Sequence, residues 1–175
     1  MTLMNNSGHF QAFSPNADNS RAFRNALGQF GTGVTVITAM TDTGPIGMTV
    51  NSFASVSLDP ALVLFSLAKS SKRLEPFSKV HHFAIHVLAQ EQFDVCNAFA
   101  RSAQAFDACD WRTSPHGVPL IEGCLTRLEC SKQTVHDGGD HEIYVAKVDH
   151  VMTTDGAPLM FFGGKLGSFA TAQAA

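Results

Sequence analysis

The sequence predicts a mainly β fold, an antiparallel barrel or sheet carrying a few short flanking helices. Alternating and β-branched runs fill most of the chain, and the helical periods are few and short. Strands and helices do not alternate as βαβ units, which excludes a Rossmann-type sheet. A length of 175 residues fits one domain at ~150 residues per domain, large enough to bury a core of its own.

In chain order, residues 1–19 are rich in Asn and Ser, carry Pro15 and show no apolar period; a flexible lead or an arm over a partner is expected there. The domain proper is expected over 20–170, with 171–175 as a tail. Asp18 or Ser20 can cap a short helix in which Phe23, Ala26, Leu27 and Phe30 recur at helical spacing, stopped by Gly31 and Gly33. Gly33 to Thr41 alternates, Asp42 to Pro45 supplies turn residues, and Ile46 to Leu58 continues extended, which reads as a hairpin. After Asp59-Pro60, the run Ala61 to Leu67 is apolar on both faces, as in a strand between a barrel interior and packing helices or a second subunit. Ser70 to Val80 reads as a short helix that Pro76 can cut to one turn. His82 to Ala89 alternates as a strand, and Glu91 to Ala100 sets Phe93, Cys96, Asn97 and Ala100 on a helical stripe. Phe106 to Leu120 holds Trp111, Pro115, Gly117 and Pro119 and reads as an irregular surface loop. Cys124 to Val135 and Glu142 to Thr153 are two long strands joined through His136 to His141, and Pro158 to Phe162 is a last strand ending at Gly163-Gly164.

Composition narrows the function classes. Hydrophobic residues make up 45% and charged residues 15%, with a mean hydropathy of +0.05, too apolar for a disordered chain. The 12 Lys+Arg against 15 Asp+Glu leave a net charge of -3, with no basic footprint for nucleic acid or an acidic membrane. The longest apolar run, Ala61 to Phe65, falls far short of the ~18 residues of a membrane span. The first residues lack a basic region ahead of a hydrophobic block, so no secretory signal is expected and the chain is placed in the cytoplasm. Cys96, Cys109, Cys124 and Cys130 form no C-x-x-C pair and read as reduced, mostly buried thiols.

No dinucleotide fingerprint, Walker loop or G-x-S-x-G elbow occurs. His82 and His86 are four apart, a zinc pair on a helix, but their flanks alternate, and on a strand they stand roughly 13 Å apart. They read as structural or surface histidines, and no metal site is expected. Three segments remain. Thr49 to Ser57 packs hydroxyls and amides densely enough for a bound polar ring, or forms the Ser/Thr-rich outer face of a sheet. Ser66 to Arg73 joins three serines and three cations at the exit of a strand, a phosphate seat or a solvated capping turn. Gly138-Gly139-Asp140-His141 offers a tight turn and an aspartate able to orient an imidazole, or turn chemistry alone.

Together these segments resemble the short-chain NAD(P)H:flavin oxidoreductase family, the flavin reductases of two-component monooxygenases. The resemblance runs from about Ala22 to Phe169. Its carriers are Gly31-Thr32-Gly33-Val34-Thr35-Val36-Ile37-Thr38, Thr49 to Pro60, Leu62 to Leu67, Ser70-Ser71, Phe83 to Ala89 and Gly139-Asp140-His141. It implies a split β-barrel that forms a homodimer, binds FMN or FAD near the subunit boundary, and uses NADH or NADPH as donor. Carried over residue by residue, Thr49, Val50, Asn51, Ser52 and Ser55 line the flavin ring, and Ser66, Ala68, Lys69 and Ser71 the phosphate. Gly139 and Asp140 lie on the nicotinamide side, with His141 as the residue touching NAD(P)H. The reaction so implied is hydride transfer from nicotinamide C4 to flavin N5, with the reduced flavin passed to a partner monooxygenase. A non-catalytic flavin- or haem-binding barrel acting as carrier or sensor is the alternative. Two departures stand out: Leu166 follows Gly164-Lys165 where the family commonly has an aromatic residue, and the proline often found before Gly31-Thr32-Gly33 is missing.

Overall fold

The computed structural model describes residues 12–170. The expectations for the lead over residues 1–11 and for the tail at 171–175 lie outside the described residues. Within the lead, Ala17–Asn19 forms a 3₁₀ turn, and Asn16 caps it in place of Asp18 or Ser20. The Asn16 side chain accepts from the Asp18 and Asn19 amides, and Asn19 returns the bond to the Asn16 amide. Helix α1 (Ser20–Leu27) follows and closes at Gly28, ahead of the glycines expected to stop it. Phe23, Leu27 and Phe30 at this end remain exposed.

The strands are β1 (Thr32–Gly33), β2 (Thr35–Thr41), β3 (Gly44–Val50), β4 (Ala54–Leu58) and β5 (Ala61–Ala68). After α2 (Leu74–Lys79) and β6 (His82–Val87) comes α3 (Phe93–Arg101), then β7 (Trp111–Thr113) and β8 (Pro119–Ile121). The chain closes with β9 (Thr126–Gly138), β10 (His141–Thr153), β11 (Leu159–Phe162) and β12 (Lys165–Ser168). Pro76 is tolerated because it sits in the first turn of α2, where a backbone N–H has no helical partner.

One antiparallel sheet of seven strands runs in the order β3-β2-β6-β9-β10-β5-β4. Its two edges, β3 and β4, are consecutive in the chain, separated only by residues 51–53. Such a link reaches at most about 14 Å at ~3.5 Å per residue, so the sheet must curl until its edges nearly meet. The extended run expected from Ile46 to Leu58 is therefore broken at this link. Val50 ends one edge and Ala54 begins the other, and the seam between them is not a β ladder. Ser52 bridges towards β5 instead: its Oγ donates to the Ser66 carbonyl at 3.1 Å and accepts from the Ser66 amide at 3.0 Å.

Alternate residues fill the barrel, among them Ile37, Met48, Phe65, Phe83, Ile85 and Tyr144. Phe65 stacks on Tyr144 with ring centres 5.0 Å apart and meets Phe83 edge-on at 5.5 Å. In strand β5, Val63, Phe65 and Leu67 are buried, while Leu62, Leu64 and Ser66 are only half-buried within this chain. Within the single chain the apolar run follows the ordinary two-residue period.

A second apolar layer joins the outer face of β2 and β6 to α3, β8 and β11 through Val36, Leu88, Phe99, Ile121 and Leu159. Helix α3 approaches β3 closely because Gly47 has no side chain: a Cβ there would lie 2.5 Å from the Phe99 ring, and the Gly47 amide donates to the Ala103 carbonyl at 2.8 Å. The segment 106–120 is not a surface loop. Phe106, Val118 and Leu120 are buried, and β7 pairs with β8. What fastens it is His86, which is fully buried on β6: its Nε2 accepts from the Ile121 amide at 3.0 Å and its Nδ1 donates to the Val36 carbonyl at 2.9 Å. Burial, with a smaller contribution from nearby Arg127, lowers the His86 pKa to about 4 despite the Val36 bond. Past Gly163-Gly164 the chain does not end its β structure as expected. Both glycines have positive φ and turn the chain into β12, which completes a small sheet in the order β1-β11-β12.

Candidate active site

The seam gathers residues from three separated segments, 48–52, 66–73 and 141. The end of β3, the 51–53 link, the end of β5 with the turn after it, and the start of β10 line one groove of about 260 Å³. Its walls carry Thr49, Val50, Asn51, Ser52, Ser66, Ala68, Ser71 and His141, eight of the residues expected at the site, together with Met48, Leu67 and Arg73. Asn51 is exposed at the rim, while Thr49 and Ser52 are half-buried. Two of the hydroxyls are already engaged. Thr49 Oγ1 donates to the Cys96 carbonyl of α3 at 2.7 Å, and Ser52 holds Ser66 across the seam. Each fixes the shape of the groove and keeps lone-pair capacity for a bound molecule.

The β9–β10 turn carries His141 to this rim. Gly138 pairs with His141, leaving Gly139 and Asp140 as a two-residue loop. Gly139 alone has positive φ there, at 78°, the pattern of a type II′ turn that needs glycine at its first central position. His141 then pairs with Ala68 of β5. Asp140 Oδ1 lies 2.7 Å from His141 Nδ1, and the bond from the imidazole holds the Asp140 carboxyl below its ordinary pKa. With Nδ1 committed, Nε2 is left to meet a ligand.

Ser55, Lys69, Gly139 and Asp140 do not line the groove. Ser55 lies exposed on the edge strand β4, opposite Val63 and beside a bulge. The Lys69 ammonium pairs with Asp137 of β9, and its amide donates to the Asp140 carbonyl at 2.9 Å, so Lys69 pins β5 to the His141 turn. Gly139 and Asp140 act in the same way, by shaping the turn that carries His141.

Arg73 was not singled out as a site residue from sequence, although it belongs to the cationic run that was. Its Nη2 donates to the Phe99 carbonyl of α3 at 3.0 Å, and its buried Nε has no partner. Burial pulls its pKa below the usual guanidinium value. A half-buried guanidinium on the wall of a hydroxyl-lined groove fits a phosphate ester. The other residues fit the rest of a flavin nucleotide. Thr49, Val50 and Asn51 are shared with a second, more apolar cavity of about 400 Å³ bounded by Phe93, Cys96, Phe161, Gly164 and Leu166. Leu166 stands where an aromatic residue is common in the family, and its direct cross-strand partner is Phe161, which returns a ring to that wall. Among the described residues no three His, Cys, Asp or Glu side chains are placed to hold a metal ion, and no helix is long and apolar enough to cross a membrane.

A split antiparallel barrel with a polar groove along its seam and an oriented histidine at the rim defines a flavin-binding oxidoreductase of the split-barrel class. Residues 27–170 match the flavin reductase like domain, and the chain belongs to that family. It is 57% identical over 157 residues to the FMN reductase (NADH) SmoA of Agrobacterium fabrum, covering 90% of each chain. It is 47% identical over 146 residues to the reductase component of the flavin-dependent trigonelline monooxygenase of Acinetobacter baylyi, covering 82% of this chain but 47% of that longer protein. The NADH:FAD oxidoreductase SgcE6 of Streptomyces globisporus C-1027, solved in complex with NAD and FAD fragments, superposes with a TM-score of 0.86 at 34% identity. That match covers 93% of this chain and all of the other. The chain is thus a flavin reductase, not a passive flavin carrier.

Proposed function

We propose that this flavin reductase holds its flavin ring along Thr49 to Ser52 and its phosphate against Ser66, Ala68, Ser71 and Arg73, with His141 receiving the nicotinamide of NADH or NADPH. The observation that carries this reading is the meeting of three distant segments in one seam groove. Flavin bound there supplies the electron chemistry, accepting hydride at N5 from nicotinamide C4. The chain's own residues bind and orient. The 51–53 link offers polar backbone and the Asn51 amide at the groove rim, Arg73 supplies positive charge, and Asp140 fixes His141 so that Nε2 can hold the incoming carboxamide. No side-chain nucleophile or general base is required.

The chain works as a homodimer and passes reduced flavin to a monooxygenase in the cytoplasm. Supporting the dimer, Phe30, Leu58, Val151 and Phe162 are large apolar side chains exposed among the described residues. Supporting the partner, a relative of this chain is itself named as a monooxygenase reductase component. A His141→Ala variant tests the site. Losing one hydrogen bond should raise the KM for NADH roughly 3- to 10-fold while the flavin Kd moves less than about 2-fold. Weakened flavin binding at an unchanged KM for NADH would place His141 on the wrong ligand.

A further inference from the structure

We propose that the flavin this chain is built to hold is the dinucleotide, with the adenylate half of FAD in a basic cavity behind Arg73, and that Arg101 sets the preference for FAD over FMN. The proposal rests on the seam-groove reading above and extends it. The seam groove, at about 260 Å³, falls just short of the ~300–1,000 Å³ typical of small-molecule sites. It ends at Ser71 and Arg73. These two residues also wall a neighbouring cavity of about 500 Å³, so the two cavities adjoin at Ser71 and Arg73.

The chemistry of the second cavity suits an adenine nucleotide. Lys72, Arg73 and Arg101 stand on its walls, no Asp or Glu lines it, and among the described residues none of the three cations is ion-paired. Ile46, Pro76 and Ala103 add apolar surface on which a heterocycle can pack, and Gln104 adds an amide that both donates and accepts. Arg73 lines both cavities, so its cation stands at their junction, where the diphosphate of the dinucleotide would lie. Arg101, at the end of α3, and Lys72, in the turn after β5, approach from different elements. A ligand that stops at its first phosphate leaves much of this cavity unused. The adenylate of a nicotinamide dinucleotide shares the same chemistry, and the KM for NADH in the test below distinguishes the two sources.

The test is equilibrium titration of oxidised FAD and FMN into the full chain, followed by flavin fluorescence, alongside the KM for NADH. FAD should bind roughly tenfold tighter than FMN. Arg101→Ala should remove most of that difference by weakening FAD while FMN stays within about twofold, Arg101→Lys should restore part of it, and Lys72→Ala should act in the same direction. Because Arg101 and Lys72 are exposed, neither change touches the core. Equal affinities for the two flavins in the unaltered chain, or an equal loss of both in Arg101→Ala, would overturn the proposal. A raised KM for NADH with flavin affinities unchanged would assign the cavity to the nicotinamide dinucleotide and also overturn it. Failure of both flavins to bind the unaltered chain would overturn the seam-groove reading itself, and this proposal with it.

Discussion

Mild acid should loosen this protein through one buried side chain, His86. The imidazole is neutral in the fold, because Nε2 already accepts from the Ile121 amide and Nδ1 donates to Val36. A second proton would have to enter at Nε2, facing an N–H, in a fully buried position near Arg127. The group's pKa is therefore 6.5 in the unfolded chain and about 4 in the folded one. The unfolded state takes up the proton first, so stability is complete above pH 6.5 and is lost as the pH falls towards 4. At ~1.4 kcal/mol per pKa unit, the loss reaches about 2 kcal/mol at pH 5 and a little over 3 kcal/mol below pH 4. In urea unfolding, with a slope of ~1–3 kcal/mol per molar, the midpoint should drop by roughly 1 M between pH 7.5 and pH 5. His86→Gln keeps an acceptor for Ile121, loses the bond to Val36 and cannot titrate. It should start lower at pH 7.5 and fall less on acidification, and the difference between the two curves isolates His86 from the other histidines. Equal acid losses in the two proteins would refute the reasoning.

Two further changes probe the packing that shapes the groove. Gly47→Ala drives a methyl into the Phe99 ring and should cost ~1–3 kcal/mol by urea unfolding, whereas an unchanged midpoint would mean that α3 does not lie this close to β3. Ser52→Ala leaves the Ser66 amide and carbonyl without their partner across the seam. It should lower stability by ~1–3 kcal/mol and speed hydrogen exchange at the Ser66 amide, and retained protection there would show that the seam closes by other means.

The long β9–β10 hairpin was legible because each arm alternates over many residues and a glycine-rich turn separates them. Helix α3 was legible from its apolar stripe. The oriented His141 was legible because its partner Asp140 is its chain neighbour. The break at 51–53 was not, since Ile46 to Leu58 is extended on both sides of it and only the order of the strands shows that the two halves lie on opposite edges. The burial of 106–120 was hidden in the same way: proline and glycine mark turns locally, while the partner that fastens β8 is His86, 35 residues away. Lys69 and Arg73 could not be told apart in the sequence for a similar reason. Both are cations in one short run, and what separates them is that Asp137 engages the first while the second, held by α3, lines the groove.

The sequence by itself determined the β class and most strand and helix identities, and it marked the segments that meet at the seam, because periodicity and turn chemistry act between near neighbours. Only the tertiary structure decided where the barrel is split, which side chains face the groove and which cation of the run lines it. Those outcomes depend on pairings between distant strands, whose geometry appears once the sheet has curled and the desolvated groups have found, or failed to find, their partners.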